Sequence, residues 1–203
     1  MDEAIKLEQF SKTLIIRFNR PEIRSPLSVF VLDRLHALLD RAAAENLNVI
    51  FTGTGDVFAS GADLREIGAL TGEKAREFAL YGQSLMHKIE SVNSVSAVNG
   101  FCFGGALDLA LAGRKRIASE NAQFSHPGAN LGIMTGWGGT QRLPRLVGEA
   151  IALEMFMTAK RILANEALQI GLINQISENP LKAAFKISTE NKKASNRNQQ
   201  SEK

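Results

Sequence analysis

Apolar residues recur along this chain at two alternating periods. Short runs fit a buried strand, and longer stretches spaced three and four apart fit one face of a helix. Thr13-Leu14-Ile15-Ile16-Arg17-Phe18 reads as a strand, and Leu27 to Ala44 places Phe30, Leu32, Leu35, Leu38 and Leu39 at near-helical spacing. Asn48 to Thr52 predicts the next strand, Glu73 to Ile89 a helix, and Ser94 to Val98 a strand that feeds the glycine pair Gly104-Gly105. Around that pair, Phe103, Leu107, Ala110 and Leu111 share one predicted buried helix face. Strands alternating with helices argue an α/β layered fold, with no repeat visible in the residues themselves.

From Asn179 the character changes. Leu181, Ala184 and Phe185 have the spacing of an amphipathic start, but Glu190 to Lys203 carries no apolar residue except Ala194. Such a segment cannot offset its ordering entropy, so the organisation expected is a core over 1–178 and, over 179–203, a short helix start with a polar, disordered tail.

At 203 residues, 44% hydrophobic and 22% charged, the chain is long enough for one substantial core. Lys and Arg outnumber Asp and Glu by 24 to 21, yet from Lys182 onward there are six basic residues against two acidic; without them the numbers are 18 and 19. The basic balance therefore belongs to the tail, and no nucleic-acid partner is expected. The single cysteine, Cys102, excludes an intrachain disulfide and a cysteine-based zinc cage, and nothing pairs His36 or His87 as ligands, so no metal is expected. The start Met1-Asp2-Glu3 resembles neither a signal nor a transit peptide, and no run is long enough to span a membrane. A cytoplasmic protein without a membrane partner is expected.

Chemistry concentrates where the glycines do. Nine of the chain's seventeen lie between Gly100 and Gly139, where close backbone approach is the physical reason for glycine. In Ala97-Val98-Asn99-Gly100-Phe101-Cys102-Phe103-Gly104-Gly105-Ala106-Leu107-Asp108 a glycine pair opens a helix, leaving N–H groups able to hold a developing negative charge. The upstream turn Phe58-Ala59-Ser60-Gly61-Ala62-Asp63-Leu64 offers a matching N–H at Ala62. Two donors facing one point would form an oxyanion hole; otherwise both are ordinary strand-to-helix turns.

Together with Asn19-Arg20-Pro21-Glu22 and Gly138-Gly139-Thr140-Gln141-Arg142-Leu143-Pro144-Arg145, these segments resemble the enoyl-CoA hydratase/isomerase (crotonase) family in order and spacing, from about Leu14 to Ile176. The resemblance implies a crotonase-like spiral of ββα turns. It also implies a lyase of fatty acid metabolism that takes a coenzyme A thioester as substrate and needs no further cofactor. Its relatives continue with helices that cap the acyl-CoA site and support trimers, so a largely missing helical cap is expected here, with a homotrimer if the shorter end permits.

Residue by residue, the resemblance places oxyanion donors at Ala62 and Gly105. It places coenzyme A along Arg24 to Leu27 and at Ala62, Asp63 and Leu64, with Arg24 either meeting phosphates or standing as a solvated charge. Hydratases of the family use two glutamates. The first falls on Asp108, one methylene shorter, and a misplacement on the order of 1 Å can cost about a hundredfold in rate. Asp108 is alternatively an acidic residue stabilised at a helix start. The second falls on Gly128, which cannot transfer a proton. His126, two residues away, offers a replacement acid or base, or is a histidine satisfied by backbone hydrogen bonds. Trp137 lines the acyl pocket or packs in the core, and Cys102 reads as a small buried hydrophobe more than a nucleophile. The functions left open are hydration, other chemistry of the family (isomerisation, against which Gly128 argues, decarboxylation, thioester hydrolysis or ring cleavage), and acyl-CoA binding without turnover.

Overall fold

The computed structural model describes residues 4–189; the tail expected to be disordered from Glu190 onward lies outside the described residues. In chain order the elements are β1 (Ile5–Phe10), β2 (Thr13–Phe18), β3 (Pro26–Leu27), α1 (Val29–Ala44), β4 (Asn48–Thr52), β5 (Val57–Ala59), β6 (Gly61–Ala62), α2 (Leu64–Gly68) and α3 (Gly72–Ser91). There follow β7 (Asn93–Val98), β8 (Phe101–Phe103), α4 (Gly105–Ala112), β9 (Lys115–Ala118), β10 (Gln123–Ser125), α5 (Gly139–Val147), α6 (Glu149–Thr158), β11 (Ile162–Leu163), α7 (Ala164–Gln169) and β12 (Gln175–Ile176). A last helical stretch covers 180–189.

Three successive turns of chain repeat one pattern. β4 and β5 precede α3, β7 and β8 precede α4, and β9 and β10 precede α5. The first strand of each turn joins a six-stranded sheet ordered β1-β2-β4-β7-β9-β12, and the second joins a four-stranded sheet ordered β11-β10-β8-β5. Pairings between turns are parallel; the hairpin β1–β2 and the β10–β11 pair are antiparallel. This is the expected spiral of ββα turns. The repeat is one of backbone path, which is why it leaves no trace in the residues.

The apolar patterns explain the layers. The middle strand β4, Asn48-Val49-Ile50-Phe51-Thr52, is buried at every position, as a parallel strand covered on both faces must be. Helix α1 starts on Ser28, whose hydroxyl accepts the Val31 N–H, and buries Val31, Leu32, Leu35, Leu38, Leu39 and Ala42. Phe30, assigned above to the apolar spacing, is 60% exposed; the stripe runs through its neighbour Val31. Ile15, Ile50, Val95, Ala97 and Ile117 form a second cluster with Ala184, and Leu181 and Phe185 pack against it.

Two expectations about the glycine junction are corrected. The strand ending at Val98 does not feed Gly104-Gly105. Asn99 turns the chain out of the large sheet, accepting the Gly53 N–H at 2.7 Å and donating to the Gly55 and Val57 carbonyls at 2.8 and 3.1 Å, and β8 of the smaller sheet then leads into the glycine pair. Helix α4 does not bury one face: every residue from Ala106 to Ala112 is buried, because α3, α5, β6 and β8 surround it. Phe103 belongs to β8 and is only half-buried.

Candidate active site

The start of α4 is held by backbone. Gly104 adopts φ +54° and donates its N–H to the Ser125 carbonyl at 2.9 Å, while its own carbonyl accepts the Leu107 and Asp108 N–H groups. The Gly105 N–H therefore opens the helix without a partner within it. The turn bearing Ala62 meets the same point. A Cβ on Gly61, which has φ +88°, would lie 2.6 Å from the Gly105 nitrogen and 2.8 Å from the Phe103 carbonyl oxygen, so only glycine permits this approach.

Ala62 and Gly105 both line one apolar cavity of about 260 Å³, shared with Leu64, Phe78, His126 and Trp137. The space has the character that small-molecule sites favour, mostly apolar walls with a few convergent polar groups, at a volume just under their usual range of about 300–1,000 Å³. Trp137 answers to both of its readings. It lines the cavity, and it is buried in slots that a Cβ on Gly82 or Gly105 would fill at 2.1 and 2.4 Å from the indole.

Asp108 stands one helical turn beyond Gly105, fully buried. It is not among the residues that line the cavity; it lies behind the wall. Its Oδ2 accepts a hydrogen bond from the Thr135 hydroxyl. Its Oδ1 has no hydrogen-bond partner and faces His126 Nε2 at 3.5 Å. Burial pushes the carboxyl up to about 6, against the opposing pull of the Thr135 hydroxyl, the Trp137 and Gly139 N–H groups and the Arg142 charge. Gly139 leaves the room this carboxylate occupies, since a Cβ there would lie 2.1 Å from Asp108 Oδ1.

His126 is buried beside the Phe156 ring, 5.0 Å between centroids, and lines the cavity. Neither ring nitrogen has a hydrogen-bond partner, so the reading of a histidine satisfied by backbone groups does not hold. Burial pulls its pKa down to about 4, leaving it neutral at pH 7. Gly128 also lines the cavity, and a Cβ there would lie 2.4 Å from the Ile133 carbonyl oxygen. The loop thus closes over the position at which the resemblance would place a second glutamate.

Pairing of β3 with β6 sets Leu27 opposite Ala62, which brings the Arg24 to Leu27 segment beside the cavity turn. Arg24 is exposed in a left-handed conformation and lies outside the cavity lining. Asp63 caps α2, accepting the Arg65 N–H at 2.9 Å, and its carboxylate pairs with the Arg65 guanidinium at 2.7 Å, which holds its pKa below the usual range. Cys102 is fully buried, and burial with the nearby Asp108 charge pushes its thiol well up, which makes it inert. Thr135 was not legible as a site residue: its bond to Asp108 crosses 27 residues from a loop with no periodic signal.

The model of the enoyl-CoA hydratase/isomerase family matches residues 9–196. The chain belongs to this family. Within it, a crotonyl-CoA hydratase of Syntrophomonas wolfei is 42% identical over 181 residues, covering 86% of this chain and 69% of that protein. A short-chain-enoyl-CoA hydratase of Clostridium acetobutylicum is 38% identical, covering 85% and 68%. The crystal structure of an enoyl-CoA hydratase from Bacillus anthracis superposes with a TM-score of 0.85 at 32% identity, covering 93% of this chain and 76% of that one. The crotonase fold expected from the motifs is thus shared with a solved member of the family. Among the described residues, no helix is long and apolar enough to cross a membrane.

Proposed function

We propose that this protein is a hydratase-like lyase that adds water to short enoyl-CoA thioesters, with the thioester carbonyl held by the Ala62 and Gly105 N–H groups. The observation that carries the proposal is the convergence of Ala62 and Gly105 on one apolar cavity with the buried Asp108 carboxylate one helical turn behind. Water attacking the β-carbon drives the double-bond electrons onto the thioester oxygen. Two N–H donors fixed by glycine turns meet that charge without reorganising, and losing one such donor typically costs about 3–4 kcal/mol. Asp108 takes the proton that water loses and returns it to the α-carbon, while neutral His126 supplies hydrogen bonding to the water or the hydroxyl it becomes. Coenzyme A lies along Arg24 to Leu27 and beside Ala62, Asp63 and Leu64, and no separate cofactor takes part. The names of the two bacterial relatives, crotonyl-CoA hydratase and short-chain-enoyl-CoA hydratase, support a short acyl chain.

A second reading rests on Gly128. With no second carboxylate and the Ile133 carbonyl in its space, the site is also suited to hold an oxyanion without completing hydration, as the enolate of a decarboxylation or the tetrahedral intermediate of thioester hydrolysis. Assay of the parent and of Asp108→Asn with crotonyl-CoA and with a carboxyacyl-CoA ester separates these. Hydration by the parent and its loss in the variant supports the first reading; a product other than the 3-hydroxyacyl ester moves the assignment to the second; binding without any product leaves a non-catalytic acyl-CoA protein.

A further inference from the structure

Asp108 is fully buried and absent from the cavity lining, so other side chains separate it from a substrate placed there. Two side chains stand between it and the cavity. His126 faces its Oδ1 at 3.5 Å, and no hydrogen bond joins them. Thr135 is different: its hydroxyl is bonded to Asp108 Oδ2, and the residue lines the cavity. It also lines a second, polar cavity bordered by His87, Glu90, Arg142 and Arg145, so Thr135 sits in a shared wall with Asp108 at its back.

We infer that the Thr135 hydroxyl relays protons between the buried Asp108 carboxylate and a substrate in the apolar cavity. A hydroxyl suits the task because it donates one hydrogen bond while accepting others, so a proton can arrive at its oxygen as its own departs. The inference rests on the hydratase reading and deepens it.

In the forward direction the water oxygen bonds to the β-carbon, and the double-bond electrons move onto the thioester oxygen. One water proton passes to Thr135 Oγ1 as the Thr135 proton passes to Asp108 Oδ2, leaving a neutral acid and an enolate. When the carbonyl re-forms, the α-carbon takes a proton from Thr135 Oγ1 as Asp108 returns its own to the threonine. The net change is addition of one water across the double bond, with Thr135 and Asp108 restored. The same relay run on a saturated thioester exchanges an α-hydrogen with solvent.

The test compares the parent with Thr135→Val, which keeps the shape and removes the hydroxyl, and Thr135→Ser, which keeps the hydroxyl. Hydration of crotonyl-CoA and α-deuterium uptake by butyryl-CoA in heavy water are both measured. Thr135→Val is expected to lose about a hundredfold or more in kcat for both reactions with KM little changed, and its residual rate no longer follows the titration of Asp108. Thr135→Ser is expected to recover to within about tenfold of the parent and to regain the parent's pH profile, an outcome that loss of packing would not give. Thr135→Val matching the parent in kcat and pH profile, with the parent active, overturns the relay alone. A parent that neither hydrates nor exchanges overturns the hydratase reading and the relay with it.

Discussion

Asp108 and His126 face each other across 3.5 Å in the same buried recess, and burial moves their pKa values in opposite directions, the carboxyl up to about 6 and the imidazole down to about 4. At pH 7 the pair is therefore a carboxylate beside a neutral ring, and not an ion pair. One negative charge, bonded to a hydroxyl and open to a neutral imidazole, suits a site that must take a proton and give it back.

The two shifts have opposite consequences for stability. Asp108 holds its proton more tightly when folded, so its contribution is fully present below its ordinary 3.8 and is lost as pH rises through about 6. His126 holds its proton less tightly when folded, so its contribution is present above 6.5 and is lost as pH falls through about 4. In the parent the two slopes oppose each other. Asp108→Asn removes one of them, and its stability relative to the parent is expected to climb by on the order of 3 kcal/mol between about pH 4 and about pH 6.5, read as urea midpoints at several pH values.

Gly139→Ala tests the placement of the carboxylate. The new methyl would lie 2.1 Å from Asp108 Oδ1 and 2.9 Å from Thr135 Cγ2, both ends of side chains that can swing aside. Folding is expected to survive while hydration of crotonyl-CoA falls by about a hundredfold, the scale of a misplacement on the order of 1 Å.

Gly82→Ala sets two effects against each other. Alanine in a helix interior gains up to about 1 kcal/mol over glycine, but here its methyl would enter the Trp137 indole, and overpacking costs about 1–3 kcal/mol. The expected net result is a lower urea midpoint with a shifted emission spectrum, since Trp137 is the chain's single tryptophan.

Gly128→Glu would supply the carboxylate that the resemblance lacks, yet no rise in activity is expected. Its Cβ would lie 2.4 Å from the Ile133 carbonyl oxygen, and the Ile133 N–H already bonds to the Gly128 carbonyl at 3.0 Å, so the loop must open before a side chain fits. The expected outcome is a destabilised variant no faster than the parent, measured by urea midpoint and kcat together.

How much of this was legible in the sequence follows from the range of each interaction. Strands such as Thr13–Phe18 and Asn48–Thr52, and helix α1, declare themselves because burial imposes a local period on consecutive residues. The site was legible where a motif fixes the backbone, at Gly61-Ala62 and Gly104-Gly105. It was not legible where loops converge. Thr135 meets Asp108 and Ile133 fills the space at Gly128 through contacts that no spacing encodes, and Phe30 misled because the stripe on α1 is set by what packs against it.

The central claim, water addition through an enolate held at Ala62 and Gly105, is tested most directly by mass spectrometry of the protein incubated in heavy water with enoyl-, 3-hydroxyacyl- and carboxyacyl-CoA esters. The predicted result is conversion of crotonyl-CoA to a 3-hydroxyacyl ester carrying one deuterium on its α-carbon, with Asp108→Asn slower by about a hundredfold or more. No change in any ester by folded protein, or hydration at the parent rate by Asp108→Asn, would contradict it.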